Sequence, residues 1–259
     1  MRFAMVGYGK MGHMIAQAAR LRGHTLVLSA DPFAEDAQCK SPNSAEVAAA
    51  IVDSGAEGII EFSHPKSVLA NIHAFVPTGI PLVVGTTGWH DKIDEIKKMV
   101  SERGSAFLYA SNFSLGVNLF YRMVSEAARL MSAFEEYDAA VFESHHNQKA
   151  DSPSGTALDV ARRVMDNLPR KKRLVSDAFY RKPDPEELHV ASLRVGSVPG
   201  THTVFFDSAA DTIELTHTAR SREGFAMGAV RAIEWLTDRD ERGQFRRGVY
   251  TMDDYFADL

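Results

Sequence analysis

Six residues near the start of the chain, Gly7-Tyr8-Gly9-Lys10-Met11-Gly12, leave little freedom in what it can fold into. They directly follow an apolar run at residues 2–6 and directly precede a helical pattern at 11–22. A glycine loop between a strand and a helix meets a geometric need. The first glycines let the backbone turn tightly and approach a pyrophosphate, and the third lets the helix pack closely on the strand. The amides at the helix start then face phosphate oxygens. Asp31 ends the next strand candidate, where an acidic residue accepts hydrogen bonds from the adenine-ribose hydroxyls. Lys10 lies inside the loop, either solvated or within reach of a cofactor phosphate.

The rest of the first half repeats the strand–helix alternation. Strand candidates at 2–6, 25–29, 58–62, 81–84 and 106–109 are separated by helical patterns at 11–22, 45–54, 67–76 and 91–103. This spacing predicts βαβ units and a Rossmann-like, doubly wound parallel sheet over residues 1–116. The second half reads differently. Helical patterns at 117–132 and 156–168 flank a strand candidate at 138–143. Segments 187–195, 201–206 and 212–219 then alternate at period two, with 207–211 as a turn. An α+β domain with a mainly antiparallel sheet is expected over 117–223, and a last helix at 224–236 begins the C-terminal segment 224–259. The basic run 169–173 reads as a solvated loop after a helix end.

Composition narrows the function classes. The 259 residues carry 29 basic and 34 acidic side chains, a formal charge of −5, which disfavours a nucleic-acid partner. Cys39 is the single cysteine, so an internal disulfide or a cysteine-rich zinc site is excluded. No apolar run approaches the ~18 residues of a membrane span, and glycine interrupts the N-terminal apolar run before a signal-peptide core forms. A cytoplasmic globular protein with no membrane partner is expected.

The densest chemistry lies at residues 143–156, Glu-Ser-His-His-Asn-Gln-Lys-Ala-Asp-Ser-Pro-Ser-Gly-Thr, between a strand and a helix. A histidine pair with a lysine close behind, in a loop that opens a helix, suits proton transfer and anion binding. Ser154, Gly155 and Thr156 form the helix start, whose amides favour a carboxylate or phosphate. A metal site on His145 and His146 is the rival reading. Adjacent residues seldom face one ion, and no HxxxH spacing supports it, so no metal is expected. Gly85-Thr86-Thr87-Gly88 and Ser111-Asn112-Phe113-Ser114 follow two strand candidates, where loops border the ligand crevice of a doubly wound sheet.

Taken with Ala110–Gly116 and the 145–156 segment, these motifs resemble dihydrodipicolinate reductase of the lysine/diaminopimelate pathway. Arg194-Val195-Gly196, Gly200-Thr201-His202-Thr203 and Arg231-Ala232-Ile233-Glu234-Trp235-Leu236 extend the likeness nearly end to end. The resemblance implies reduction of 4-hydroxy-tetrahydrodipicolinate to tetrahydrodipicolinate, a cyclic dicarboxylate chemistry. It implies His145 as acid/base and Lys149 as proton donor. His146, Ser154, Gly155 and Thr156 would hold the substrate. Gly7, Tyr8, Gly9, Lys10, Met11, Gly12, Asp31, Gly85, Thr86, Thr87, Ala110, Ser111, Asn112 and Phe113 would line the cofactor site. It further implies that 224–259 returns to the nucleotide domain, that a crevice between domains holds both ligands, and that four copies assemble through the second domain's sheet.

Three departures from the family pattern stand out: Ser152 for alanine, Glu61 for aspartate, and Pro32 after Asp31, where some members carry a basic residue suited to a 2′-phosphate. The last leaves Lys10 as the nearest cation, so NADH is expected to serve at least as well as NADPH. Two other functions compete. Another two-domain Rossmann reductase, such as an aspartate or homoserine dehydrogenase, explains the glycine loop but not the His-His-x-x-Lys segment. A dinucleotide-sensing regulator without catalysis would need a partner-binding module that the sequence does not display.

Overall fold

The computed structural model describes residues 1–240 and 243–259. The chain divides into two compact units, Met1–Leu115 with Arg222–Leu259, and Gly116–Ser221. In the first unit β1 (Arg2–Val6), α1 (Lys10–Leu21), β2 (Thr25–Ala30), α2 (Ser44–Asp53), β3 (Gly58–Glu61), α3 (Val68–Phe75), β4 (Leu82–Val84), α4 (Ile93–Arg103) and β5 (Ala106–Tyr109) alternate. All pairings are parallel, with β1 between β2 and β3, and with β4 and β5 continuing beyond β3. The chain thus winds outward in both directions from the β1/β3 boundary, the switch point at which such sheets bind ligands. Crossover helices cover both faces of a parallel sheet, so its strands are apolar on both sides. Ala4 and Val6 join a core with Val47, Ile51, Ile72 and Phe75, while Phe3 and Met5 join another with Ile15 and Ala19. Element ends differ from the sequence expectation by one or two residues, the scale on which helix ends fray.

The second unit contains α5 (Leu115–Met131), β6 (Asp138–His145), α6 (Gly155–Asn167), β7 (Arg173–Val175), β8 (Glu187–Arg194), β9 (Thr201–Asp207) and β10 (Thr212–Thr218). Its sheet runs β10-β9-β6-β8-β7. The expected mainly antiparallel sheet is in fact mixed. β10, β9 and β6 are antiparallel neighbours, whereas β8 and β7 run parallel to β6 and to each other. Period-two alternation reports which face a side chain takes, not strand direction; the crossover through α6 makes β8 parallel to β6. One face packs Ala139, Val141, Leu188, Val190, Val204 and Phe206 against Phe120 and Val124 of α5 and Val160 and Val164 of α6. By the same alternation half-buried Phe142, Ala191 and Phe205 and exposed Leu193 take the opposite face.

The basic run is a solvated loop only in part, at the exposed Lys172 and Arg173. Lys171 is 3% exposed, with Nζ 2.7 Å from the Glu187 carbonyl and 2.5 Å from Asp138 Oδ1. Arg170 donates to the carbonyls of Tyr137 at 2.6 Å and Met131 at 3.2 Å, and Arg173 opens β7. The Met131 carbonyl at the end of α5 lacks an intrahelical donor, and half-buried Arg170 supplies one.

After the second unit the chain returns as α7 (Glu223–Thr237), β11 (Gly248–Thr251) and α8 (Met252–Ala257). Ala226, Ala229, Val230, Ile233 and Leu236 of α7 enter the Phe3–Met5 core, and β11 adds a sixth parallel strand beside β5. Each large side chain so buried contributes about 1.5–3 kcal/mol relative to exposure. Among the described residues no helix is long and apolar enough to cross a membrane.

Candidate active site

The glycine loop sits at the switch point, and each glycine is there for a different reason. Gly7 has φ +85°, and a Cβ on it would lie 2.2 Å from the Phe62 carbonyl oxygen. A Cβ on Gly12 would lie 2.2 Å from the Gly7 carbonyl oxygen, so α1 starts hard against the turn. Gly9 has nothing within 4 Å of that position, which leaves its surface open to a ligand. Asp31 ties the loop down. Its Oδ2 accepts from the Tyr8 amide at 2.8 Å, and its Oδ1 accepts from the amides of Phe33 at 2.8 Å and Ala34 at 3.1 Å. Lys10 is exposed and, with Met11, begins α1.

The other nucleotide-side candidates also lie beyond strand C-termini. Gly85, after β4, donates its amide to the Glu61 carbonyl at 2.9 Å. Thr86 is buried and its carbonyl accepts from Trp89 Nε1 at 2.8 Å, whereas Thr87 is exposed. Ala110, Ser111 and Asn112 follow β5, and the Asn112 side chain accepts from the Ser114 amide at 2.9 Å. Phe113 is 2% exposed with its ring 5.5 Å from that of Phe62, so its side chain serves the core. Glu61 is fully buried and accepts from the Ser63 amide and hydroxyl and from Asn71 Nδ2; burial pushes its carboxyl above the usual range.

A second group of side chains collects on the other unit. Period two on β6 sends Glu143 and His145 to the helix-covered face, where His202 of β9 pairs with Glu143 and Arg194 of β8 pairs with His145. Glu143 is 0%, His202 4% and His145 8% exposed. The Glu143 carboxylate touches His145 Nδ1 through Oε2 and meets Arg194 Nη1 through Oε1 at 2.8 Å. Ser154 caps α6 by accepting from the Ala157 amide at 3.1 Å. Its own amide donates to Glu143 Oε1 at 3.3 Å, and its hydroxyl lies 3.3 Å from His202 Nε2. Lys149 pairs with Asp151 at 2.8 Å, and Arg194 also donates to the Asp151 carbonyl. His146 is half-buried and Gly155 exposed, and Gly155 and Thr156 open α6.

Burial lowers the His145 pKa; Glu143 opposes that shift, and Lys149 and Arg194 reinforce it. Burial takes His202 down to about 4, with the His145 charge adding to the effect. Burial alone would raise Glu143, but the Ser192 hydroxyl, the Arg194 guanidinium and the His145 ring hold it below the usual carboxylate range. The result is a charged carboxylate behind a neutral imidazole, an arrangement that handles protons.

Glu143, Arg194, Gly200 and His202 fall inside the sequence motifs, yet the motifs alone give them no role. Glu-x-His on a strand puts both side chains on one face, a signal present in the sequence. The contributions of β8 and β9 depend on strand pairing. Among the described residues the grouping with metal-ligand potential is Glu143, His145 and His202, with ligand atoms within 4.8 Å of one another, rather than His145 and His146. The Arg194 guanidinium on the same carboxylate repels a dication, so the cluster suits proton transfer better.

Two family models cover the chain: one described as dihydrodipicolinate reductase, N-terminus, matches residues 1–113, and one described as dihydrodipicolinate reductase, C-terminus, matches 116–256. The chain belongs to the dihydrodipicolinate reductase family. Curated members named 4-hydroxy-tetrahydrodipicolinate reductase are similar over nearly full length. The one from Christiangramia forsetii is 39% identical, covering 100% of this chain and 99% of its own. That from Archaeoglobus fulgidus is 35% identical, covering 98% and 99%. The solved dipicolinate-bound dihydrodipicolinate reductase from Paenisporosarcina sp. TG-14 has the same fold, with TM-score 0.75 at 20% identity over 98% of each chain. Members of this reductase family are pyridine-nucleotide-dependent oxidoreductases, and the present chain is an enzyme of that class.

Proposed function

We propose that this member of the family reduces 4-hydroxy-tetrahydrodipicolinate to tetrahydrodipicolinate, consuming one hydride and one proton and releasing water. The observation that carries the reading is the gathering of His145, Lys149 and the start of α6 at one end of the second sheet. Proton donors there stand beside a helix N-terminus that favours carboxylates, which matches a dicarboxylate substrate. The first unit takes the dinucleotide and the second the substrate, along the boundaries 1–116 with 224–259, and 117–223.

The nicotinamide, when bound, supplies the hydride. The open surface at Gly9 and the start of α1 are suited to the dinucleotide's pyrophosphate. Gly85–Thr87 and Ala110–Phe113 border the same strand ends. His146 and the amides of Gly155 and Thr156 orient the substrate carboxylates. Lys149 leaves Asp151 to offer its proton, and His145 acts as acid/base, so that the departing hydroxyl leaves as water.

Asp31 keeps its carboxylate beside the glycine loop, and Pro32 has no amide for a 2′-phosphate. NADH therefore serves at least as well as NADPH, with Lys10 offsetting part of the repulsion for NADPH. The homotetramer assembles through the sheet face carrying Phe142 and Phe205. The deciding experiment follows NADH or NADPH absorbance with freshly made 4-hydroxy-tetrahydrodipicolinate. Cofactor binding without turnover would instead mark a sensor, and turnover of another substrate alone would mark a different reductase.

A further inference from the structure

We propose that Glu143 is the positioning residue for His145: it holds the ring with Nδ1–H toward its carboxylate, so that Nε2 is the atom that exchanges a proton with the substrate. The inference rests on the acid/base reading of His145 above and adds the device that makes one ring nitrogen the working one.

Glu143 can do this because its own freedom is already spent. It is wholly buried, Arg194 Nη1 sits on Oε1 at 2.8 Å, and the Ser154 amide approaches the same oxygen at 3.3 Å. Oε2 meets His145 Nδ1 as an ion-pair contact without hydrogen-bond geometry, and neither atom has another partner. An ionised carboxylate only accepts hydrogen bonds, so the nitrogen facing it must carry the hydrogen, and the partner of one ring nitrogen thereby sets the state of the other. On the Nε2 side the ring borders Gly200, where only a glycine fits. Gly200 has φ +144°, and a Cβ on it would lie 2.9 Å from His145 Nε2 and 3.2 Å from Cδ2.

The surrounding charges agree with this assignment. The groups facing His145 are Glu143 on its own strand, Arg194 on β8, His202 on β9 and Lys149 in the following loop. His202 stacks edge-on at 5.1 Å between ring centroids, is held neutral by burial, and turns Nε2 to Ser154. Glu143 is thus the single negative group among these four and the one that favours a protonated His145.

The test uses the full chain. Nitrogen-15 NMR of histidine-labelled protein, with His145 assigned by the signals missing from His145→Gln, reads the tautomer directly. The expected result is Nδ1–H on neutral His145; Nε2–H would overturn the inference without any further variant. In Glu143→Gln, kcat is expected to fall by ~10- to 10⁴-fold, the range set by loss of a tautomer-holding carboxylate, with KM for the cofactor unchanged. The pH limb that reports His145 should move to lower pH, because the carboxylate no longer stabilises the imidazolium. Glu143→Asp should recover part of both. A Glu143→Gln protein with its rate and pH limb unmoved would refute the positioning role while leaving the proposed function intact. Near-normal turnover in His145→Gln would remove the acid/base reading and this inference together.

Discussion

Replacing Gly200 with alanine inserts one methyl group where the fold has left none. The new Cβ would stand 2.9 Å from His145 Nε2 and 3.2 Å from Cδ2, against an ordinary contact of 3.4–4 Å, so the ring must retreat by roughly half an ångström or more. It cannot back toward Nδ1, where the Glu143 carboxylate is already in contact, and must tilt or swing. Displacements of ~1 Å at a reacting group cost on the order of 10²-fold, so kcat should fall by ~10- to 10²-fold. The residue also holds φ +144°, a region essentially reserved for glycine, at ~1–3 kcal/mol for any other residue. At ~2–4 °C per kcal/mol for a chain of this size, Tm should drop by roughly 2–12 °C. KM for the cofactor should stay put, since Gly200 lies in the second unit and the glycine loop in the first. Steady-state rates beside a thermal melt provide both readouts. A variant with kcat within about twofold of the parent and an unshifted melt would refute the claim that the empty position at Gly200 keeps His145 in place.

His145→Gln and Lys149→Ala are each expected to lower kcat by ~10²–10⁴-fold with little change in cofactor Kd, and near-normal turnover in either would remove that residue from the mechanism. Comparison of kcat/KM at fixed ionic strength should show NADH used at least as well as NADPH, with the loss in Lys10→Ala confined to NADPH; a tenfold or greater NADPH preference in the parent would contradict the charge argument at Asp31. His202 is neutral in the fold, with its pKa at about 4 against 6.5 unfolded. Its share of stability is therefore complete above pH 6.5 and is lost as the pH falls toward 4, by ~3 kcal/mol in all. Urea midpoints from pH 7 to pH 4 should fall more steeply in the parent than in His202→Gln, and equal slopes would reject this assignment. Light scattering at micromolar concentration should return a tetramer mass, and a monomer would sink the proposed assembly.

The first sheet was legible because its signals are local. Strand, glycine turn and helix follow one another in sequence, and Gly7 and Gly12 are dictated by contacts with Phe62 and with Gly7 itself. The strand β11 escaped notice because Gly248–Thr251 is four residues long and gains its meaning only by pairing with β5. The basic run misled for a related reason: nothing near Lys171 in sequence announces that Asp138 and the Glu187 carbonyl will surround it. The active-site candidates divide along the same line. His145, Lys149 and the start of α6 share one segment and were found together. Arg194 and His202 reach the cluster through strand pairing, and Gly200 through its place just before β9, none of which periodicity encodes.

The return of α7 to the first unit also governs how the protein is born. One face of the parallel sheet is roofed by α1 and α7 together, so Met5, Ile60, Val83 and Leu108 keep part of their cover only once Ala229 and Ile233 arrive. A ribosome must first make the whole of Gly116–Ser221. At ~5–20 residues per second that interval lasts several seconds or more, during which a half-roofed apolar sheet stands exposed to other nascent chains. The second unit, by contrast, is one unbroken stretch and has every strand it needs as soon as it clears the exit tunnel. The middle of the chain therefore matures first, and the glycine loop, though translated at the very beginning, is among the last parts to acquire a stable platform.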